Sequence, residues 1–268
     1  MSASAADAQT IAHPKSFLMA SSAAHMTPQE RTSSFSLASI FALRMFGLFI
    51  ILPVFAVYAR ELPGGDSETL VGITLGIYGL TQGLLQIPFG VASDRLGRKP
   101  VIIFGLIIFA LGSFLAASGA NIWIVMLGRM LQGAGAISAA VTAFIADSVR
   151  VQVLTKAMAM VGASIGLTFA LSLLISPPLT KLWGVSGLFT LTGISALIAV
   201  LVVKFVVPPA PQSAIDEKNE HRSWRKVVCD PQLVRLKIGI FVLHAVLTAI
   251  FVVITTRLVY MRLPSEHH

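Results

Sequence analysis

The chain has 268 residues, of which 55% are hydrophobic and 12% are charged, with a formal net charge of +8 and a mean hydropathy of +0.82. Soluble domains carry about 25% charged residues, so this composition excludes an ordinary soluble enzyme or binding module. The basic residues lie in short loops between apolar segments, without the interleaved aromatic residues of a basic patch, which excludes a nucleic-acid-binding protein. The single cysteine, Cys229, offers no disulfide framework and no metal cluster, and no cofactor is predicted.

The first 35 residues are rich in Ala, Ser and Thr, and they predict a disordered cytoplasmic tail (1–35). After them come apolar segments long enough to cross about 30 Å of hydrocarbon. Seven such segments span roughly 36–58, 70–92, 100–118, 122–146, 157–179, 184–207 and 236–259. None alternates apolar and polar residues, so helices are predicted rather than a barrel. The sequence therefore predicts an all-α integral membrane protein.

Basic residues fix the predicted orientation. If the amino terminus is cytoplasmic, most Lys and Arg residues fall on the cytoplasmic side. The other side receives only Arg60, Lys181, Arg257 and Arg262. Short cytoplasmic loops of membrane proteins carry this excess of positive charge. We therefore expect a cytoplasmic amino terminus.

Arg44 is the first unusual residue, since it lies in the first apolar segment, about 12 Å from its inner end at about 1.5 Å per residue. A charge at that depth needs a cavity or a helix–helix contact, or must snorkel to the interface. A cavity or helix–helix position is preferred over snorkelling. No Asp or Glu lies deep in any of the seven segments, so a carboxylate proton carrier is not predicted in this chain.

The loop between the second and third segments reads Gly-Val-Ala-Ser-Asp-Arg-Leu-Gly-Arg-Lys-Pro over residues 90–100. Gly90 and Gly97 would allow close backbone approach and unusual dihedral angles. Asp94 and Arg98 can pair if the segment is helical. Arg95 and Lys99 would then face anionic lipid headgroups or water, although an ordinary basic loop that only sets topology remains an alternative.

The fourth segment contains Arg129, Gln132, Gly133 and Gly135. Gln132 can share hydrogen bonds with Arg129, and the two glycines would let another helix approach closely. An Arg-Met pair lies in the first segment, at Arg44, and in the fourth segment, at Arg129. Each of these segments begins a group of three, which suggests a weak inverted repeat. An arginine that only snorkels outward is the alternative for Arg129.

Asp147 ends the fourth segment on the same side as Asp94 and Arg98. A carboxylate at a helix carboxyl terminus opposes the helix dipole, so it is expected to pair with a cation such as Arg98. The alternative is a solvated helix end with Arg150 nearby. In the fifth segment, the spacing of Gly162 and Gly166 can support close helix packing. In the seventh, His244 can titrate near physiological pH, although a neutral buried histidine is the simpler interpretation.

The loop order G-x-x-x-D-R-x-G-R-K resembles the loop between the second and third helices of major facilitator transporters, and R-x-x-Q-G in the fourth segment resembles a signature linked there to proton coupling. The first and seventh segments look most like the YajR-like branch of drug/proton antiporters. In the fifth segment, Ser-Pro-Pro at 176–178 replaces the Gly-Pro element of antiporters.

The resemblance implies a fold of the major facilitator type, here a six-helix amino-terminal bundle (36–207), a cytoplasmic linker (208–235) and the first helix of a second bundle (236–268), against twelve helices in the family. It also implies two functional groups of residues. The conformational-switch group contains Gly90, Asp94, Arg95, Gly97, Arg98, Lys99 and Asp147, and the substrate and proton pathway contains Arg44, Arg129, Gln132, Gly133 and His244.

The function expected from this resemblance is secondary active transport in the inner membrane, with proton-coupled efflux of small amphipathic or hydrophobic compounds. No catalytic pair or metal site is predicted, so an enzyme is not expected. The alternative is a half-length transporter that is inactive alone and needs a partner chain, or a degraded gene product. In that case Arg44, Arg129 and Gln132 are expected on the face toward the missing bundle, where lipid would otherwise meet them.

Overall fold

The computed structural model describes residues 25–208 and a few isolated positions between 231 and 246. The chain divides into two compact units, Met1–Ala214 and Ile215–His268. In the first unit the described residues form helices and no strands. These helices are α1 (Pro28–Phe49), α2 (Leu52–Glu61), α3 (Glu68–Leu96), α4 (Arg98–Ala117), α5 (Ile122–Ala134), α6 (Ser138–Ser148) and α7 (Val151–Phe205). The described positions of the second unit are helical, while the predicted seventh segment as a whole and His244 lie outside the described residues.

The first helix starts earlier than the sequence predicted. Thr27 Oγ1 accepts a hydrogen bond from the Glu30 amide at 3.2 Å, and the Glu30 carboxylate accepts one from the Thr27 amide at 2.8 Å. This reciprocal capping box, with Pro28 in the first turn, satisfies amides that a helix start leaves free. Residues 28–35, which were expected in the disordered tail, are therefore helical.

Five helical elements are long and apolar enough to cross a membrane in the part of the chain that the structure describes, counting α1 with α2 and α5 with α6. The fifth, α7, has 55 residues, and about 20 residues suffice for one crossing. Gly184 has a non-helical φ of 66° and divides this element. The two parts agree with the predicted segments 157–179 and 184–207.

The first and fourth apolar elements are interrupted at corresponding places. Helix α1 ends at Phe49 and α2 begins at Leu52, while α5 ends at Ala134 and α6 begins at Ser138. Helix α1 ends five residues after Arg44, and helix α5 ends five residues after Arg129. Equivalent breaks in two elements that each carry an Arg-Met pair support the inverted repeat that the sequence suggested.

Apolar side chains pack in layers along the bundle. One cluster, around Phe41, Leu106 and Phe144, lies toward the end that carries the 90–100 loop, called here the loop end. A second cluster, around Phe55 and Phe189, lies toward the opposite end. A small third cluster contains Tyr78, Phe109, Ala110 and Ala196. Two of the buried arginines, Arg44 and Arg129, border this third cluster through contacts with Phe109 and Tyr78.

Candidate functional site

Arg98 is the centre of an ion-pair cluster at the loop end of the bundle. Its Nε donates to Asp147 Oδ2 at 2.8 Å, and its Nη1 lies 2.5 Å from Asp94 Oδ1. Nη1 also donates to Ser93 Oγ at 2.7 Å. The side chains of Arg98 and Asp147 are 8% and 4% exposed, whereas Asp94 is 62% exposed. The structure therefore brings together the three charges that the sequence grouped, with the Asp147 pair buried and the Asp94 pair near solvent.

Gly97 makes this geometry possible. Its φ of +94° lies in the region that favours glycine, and it separates the end of α3 from the start of α4. Because the chain turns at Gly97, Arg98 begins a new helix and reaches both Asp94 behind it and Asp147 on α6. The close backbone approach expected at Gly90 is not found. A Cβ at this position would lie 3.7 Å from the Ala139 Cβ, which is an ordinary van der Waals contact.

The two outer cations of the loop have different environments. Arg95 is exposed, as predicted. Lys99 is half-buried, and its Nζ donates to the carbonyl oxygen of Val207, just beyond the end of α7. Lys99 therefore satisfies a carbonyl at a helix carboxyl terminus, where a cation is favoured. The expectation that Lys99 faces lipid headgroups or water was wrong for this reason.

A second ion pair at the loop end was missed by the sequence analysis. Arg150 Nε donates to Glu30 Oε1 at 2.8 Å, and the Arg150 amide donates to the same oxygen at 3.1 Å. The capping box of Thr27 and Glu30 was a detectable signal for the helix start. No local signal linked it to Arg150, because the partners lie far apart in sequence. This pair joins the start of α1 to the connection between α6 and α7.

Arg44 lies inside the bundle and is 1% exposed. Its Nη1 donates to Ser138 Oγ at 3.0 Å and its Nη2 to the Gly135 carbonyl oxygen at 3.3 Å. Its guanidinium lies over the Phe109 ring at 5.7 Å. The arginine of α1 thus binds the interruption between α5 and α6, which agrees with the predicted helix–helix position and not with snorkelling.

Arg129 is equally buried, at 1% exposure. Its Nη1 donates to Gln132 Oε1 at 2.9 Å, and its guanidinium lies over the Tyr78 ring at 4.8 Å. Gln132 Nε2 in turn donates to Ser113 Oγ at 2.8 Å. The predicted sharing of hydrogen bonds between Arg129 and Gln132 is present, and the aromatic contact with Tyr78 was not foreseen.

These positions correct one expectation. Arg44 and Arg129 are 1% exposed and Gln132 is 0% exposed, so none of them lies on an outward face of the bundle. Each finds a neutral oxygen or an aromatic ring inside the bundle, which reduces the cost of burying its polar atoms. A bundle of these helices therefore does not place these groups against lipid.

Glycines decide where the helices approach. A Cβ on Gly133 would clash with Thr81 Oγ1 and with the Tyr78 carbonyl oxygen, and one on Gly135 would clash with the Gly105 carbonyl oxygen. Close packing of this part of the fourth element is as predicted. A Cβ on Gly162 or Gly166 would meet nothing within 4 Å. Among the described residues no helix approaches this pair, and close packing there stays a prediction.

Comparison with known proteins gives consistent results. Residues 37–266 match the Major Facilitator Superfamily model. The chain is 43% identical over 245 residues to the inner membrane transport protein YajR of Escherichia coli, covering 91% of this chain and 54% of that protein. It is 35% identical over 127 residues to the class B tetracycline resistance protein of Escherichia coli, covering 47% of this chain and 32% of that protein.

Solved structures give the same fold. The human organic anion transporter MFSD10 superposes with a TM-score of 0.59 at 19% sequence identity, covering 68% of this chain and 49% of that one. At this identity the likeness concerns the fold alone. The chain spans 54% of the length of YajR and 60% of the length of a transporter of Buchnera aphidicola, so it covers little more than half of these curated relatives.

Proposed function

Because the chain belongs to the Major Facilitator Superfamily, we propose that it forms the amino-terminal bundle of a secondary active transporter. The transporter exports small amphipathic or hydrophobic compounds across the inner membrane, and proton movement drives the export. A second bundle, from the same longer protein or from a partner chain, supplies the other half of the substrate cavity. The observation that carries this proposal is the buried pair of Arg98 and Asp147 with exposed Asp94 beside it.

The cluster has the properties of a conformational switch. Arg98 and Asp147 hold the loop between α3 and α4 against the end of α6, and they are too buried to be a simple solvated turn. Asp94 remains exposed and can change its contacts as the bundle moves. In alternating access, a contact made in one state and broken in the other biases the equilibrium by about 1–3 kcal/mol. This supports a role in setting the balance between inward-open and outward-open states.

Reconstitution of the purified chain into proteoliposomes tests the proposal. Tetracycline serves as a first probe because a relative is a tetracycline resistance protein. Under an imposed proton gradient we expect probe flux that collapses when a protonophore removes the gradient. If the chain alone gives no flux, the same assay with a second bundle co-reconstituted separates a half-transporter that needs a partner from a protein that does not transport. Absence of flux in both preparations contradicts the proposal.

Asp94→Asn is expected to lower transport severalfold while the amount of folded protein in the membrane stays normal. The substitution removes one charge from the switch but leaves the buried Arg98–Asp147 pair intact. Initial rates of flux in proteoliposomes, normalised to protein amount, measure the effect. Glu68→Gln is the matched control, because it removes an exposed carboxylate that pairs with Arg60 outside the cluster. A parental rate for Asp94→Asn would mean that the loop only sets topology.

The topology has a separate test. The excess of basic residues predicts that the amino terminus and the 208–235 linker are cytoplasmic. Cys229 is the single thiol of the chain and lies in this linker. A membrane-impermeant thiol reagent is therefore expected to label inverted membrane vesicles and to leave intact spheroplasts unlabelled. Equal labelling rates in the two preparations would refute this orientation.

A further inference from the structure

The interior of the described bundle carries positive charge without a carboxylate. Arg44 and Arg129 are each 1% exposed, and no ion pair reaches either of them among residues 25–208. All acidic residues in this range lie near one end of the bundle or the other. They are Glu30, Glu61, Asp66, Glu68, Asp94 and Asp147. An arginine keeps its proton in proteins, so these two charges are permanent.

Arg44 makes more hydrogen bonds than Arg129, although its Nε is also buried without a partner among the described residues. Two of its nitrogens donate to Ser138 Oγ and to the Gly135 carbonyl oxygen. Its guanidinium is held where the helical path between α5 and α6 is broken. Arg44 therefore acts mainly through its charge, by adding positive potential to the middle of the bundle.

Arg129 is poorly satisfied. It donates a single hydrogen bond within the described residues, to Gln132 Oε1 at 2.9 Å. Its Nε is buried without a partner in that part of the chain, and so is the hydroxyl of Tyr78, whose ring lies against the guanidinium. Buried polar groups normally find partners. Two unsatisfied donors on side chains in contact indicate a place where an external acceptor can bind.

An anion is the ligand that suits this place. A carboxylate can accept hydrogen bonds from a guanidinium and a phenol, and its charge compensates the buried cations. A cationic ligand would meet two like charges at low dielectric. We propose that Arg129, Tyr78 and Gln132 bind the carboxylate of an organic anion, so that the substrates of this bundle are monoanionic amphipathic compounds. This inference rests on the proposed transport function for its role, but the binding itself does not require transport.

Helix α3 is the most exposed neighbour of the site. It carries Tyr78 and is the least buried of the five apolar elements among the described residues. A Cβ on Gly76 or Gly79, beside Tyr78 in the chain, would meet nothing within 4 Å. The outer face of α3 is therefore open beside Tyr78, whereas its inner face packs closely on α5 at Gly133, so ligand binding at Arg129 requires that contact to open.

Benzoate, a small aromatic carboxylate, is the probe. The purified 268-residue chain is unfolded by heat in mild detergent with benzoate, with the neutral isostere benzamide, or with sodium chloride at equal ionic strength. Binding to the folded state raises the unfolding midpoint by mass action. With benzoate in about tenfold excess over its dissociation constant, we expect a rise of about 3–6 °C. We expect no such rise with benzamide or chloride.

Variants locate the site. Arg129→Gln is expected to abolish the benzoate-dependent rise, and Tyr78→Phe to reduce it. Arg129→Lys keeps the charge and is expected to retain a weaker response, which remains measurable if Arg129→Gln fails to fold. Arg60→Gln is the control, because it removes an arginine whose side chain is 64% exposed at the bundle surface. Its response should equal that of the parent.

The outcomes separate this inference from the proposed function. Benzoate binding that depends on Arg129, in a chain that shows no flux alone or with a second bundle, supports the anion site and contradicts transport. Equal shifts with benzoate and benzamide, an unchanged response in Tyr78→Phe and Arg129→Lys, or no response to benzoate would overturn the anion site. In the last case, water satisfies Arg129 and Tyr78.

Discussion

Asp147→Asn is expected to destabilise the bundle by about 3 kcal/mol, because it leaves the Arg98 guanidinium without its buried counter-ion. Removing one partner of a buried ion pair costs about 3–5 kcal/mol. The lower end applies here because Arg98 keeps Asp94 and Ser93 as partners. The side chains of Arg98 and Asp147 are 8% and 4% exposed, so water does little to replace the lost charge. Thermal unfolding in detergent, followed by far-UV circular dichroism, measures the change.

Asp94→Asn is the matched control for this stability measurement. It removes the other carboxylate of the same cluster, but the Asp94 side chain is 62% exposed. Exposed ion pairs contribute about 0–1 kcal/mol. We therefore expect a small change in stability for Asp94→Asn, although its effect on transport is large. Equal destabilisation by the two substitutions would show that burial does not distinguish the two pairs.

Gly133→Ala is expected to destabilise the bundle by about 3 kcal/mol, the upper part of the range for an overpacked interior. A Cβ at this position would clash with Thr81 Oγ1 and with the carbonyl oxygen of Tyr78. A backbone carbonyl within a helix cannot move aside without displacing α3. The added methyl group therefore forces α3 and α5 apart, and the same unfolding measurement reports the loss.

Gly76→Ala is the control for this prediction. It makes the same chemical change on α3, where a Cβ would meet nothing within 4 Å. Alanine is favoured over glycine in a helix interior by about 1 kcal/mol, so a slight gain in stability is expected. The two substitutions should thus differ in sign. If both destabilise the protein equally, the close approach at Gly133 is not what limits the packing.

Much of the fold follows from hydropathy along the chain. The apolar segments of residues 36–207 all correspond to helical elements, because a backbone in hydrocarbon must satisfy its hydrogen bonds within the same segment. The first boundary was wrong, since helix α1 begins at Pro28. Hydropathy does not detect a helix whose first turns are polar. The capping box of Thr27 and Glu30 marks where this helix starts.

The sequence also grouped Asp94, Arg98 and Asp147, because a loop motif and a helix end on the same side of a membrane must meet near one face. It could not assign the partners of Arg44 and Arg129. The Gly135 carbonyl oxygen and Ser138 lie on a different helix from Arg44, and Tyr78 lies on a different helix from Arg129. Such contacts depend on how helices rotate and approach, which the spacing of residues within one helix does not determine.

The sequence by itself thus determined the six apolar segments of residues 36–207, their family pattern and the charged group at the loop end, because these depend on local polarity and on motif order. The tertiary structure alone decided burial. It placed Arg44, Arg129 and Gln132 inside the bundle, Lys99 against the Val207 carbonyl and Arg150 against Glu30. The physical reason is that the cost of a charge depends on the groups that surround it, and here those groups come from distant parts of the chain.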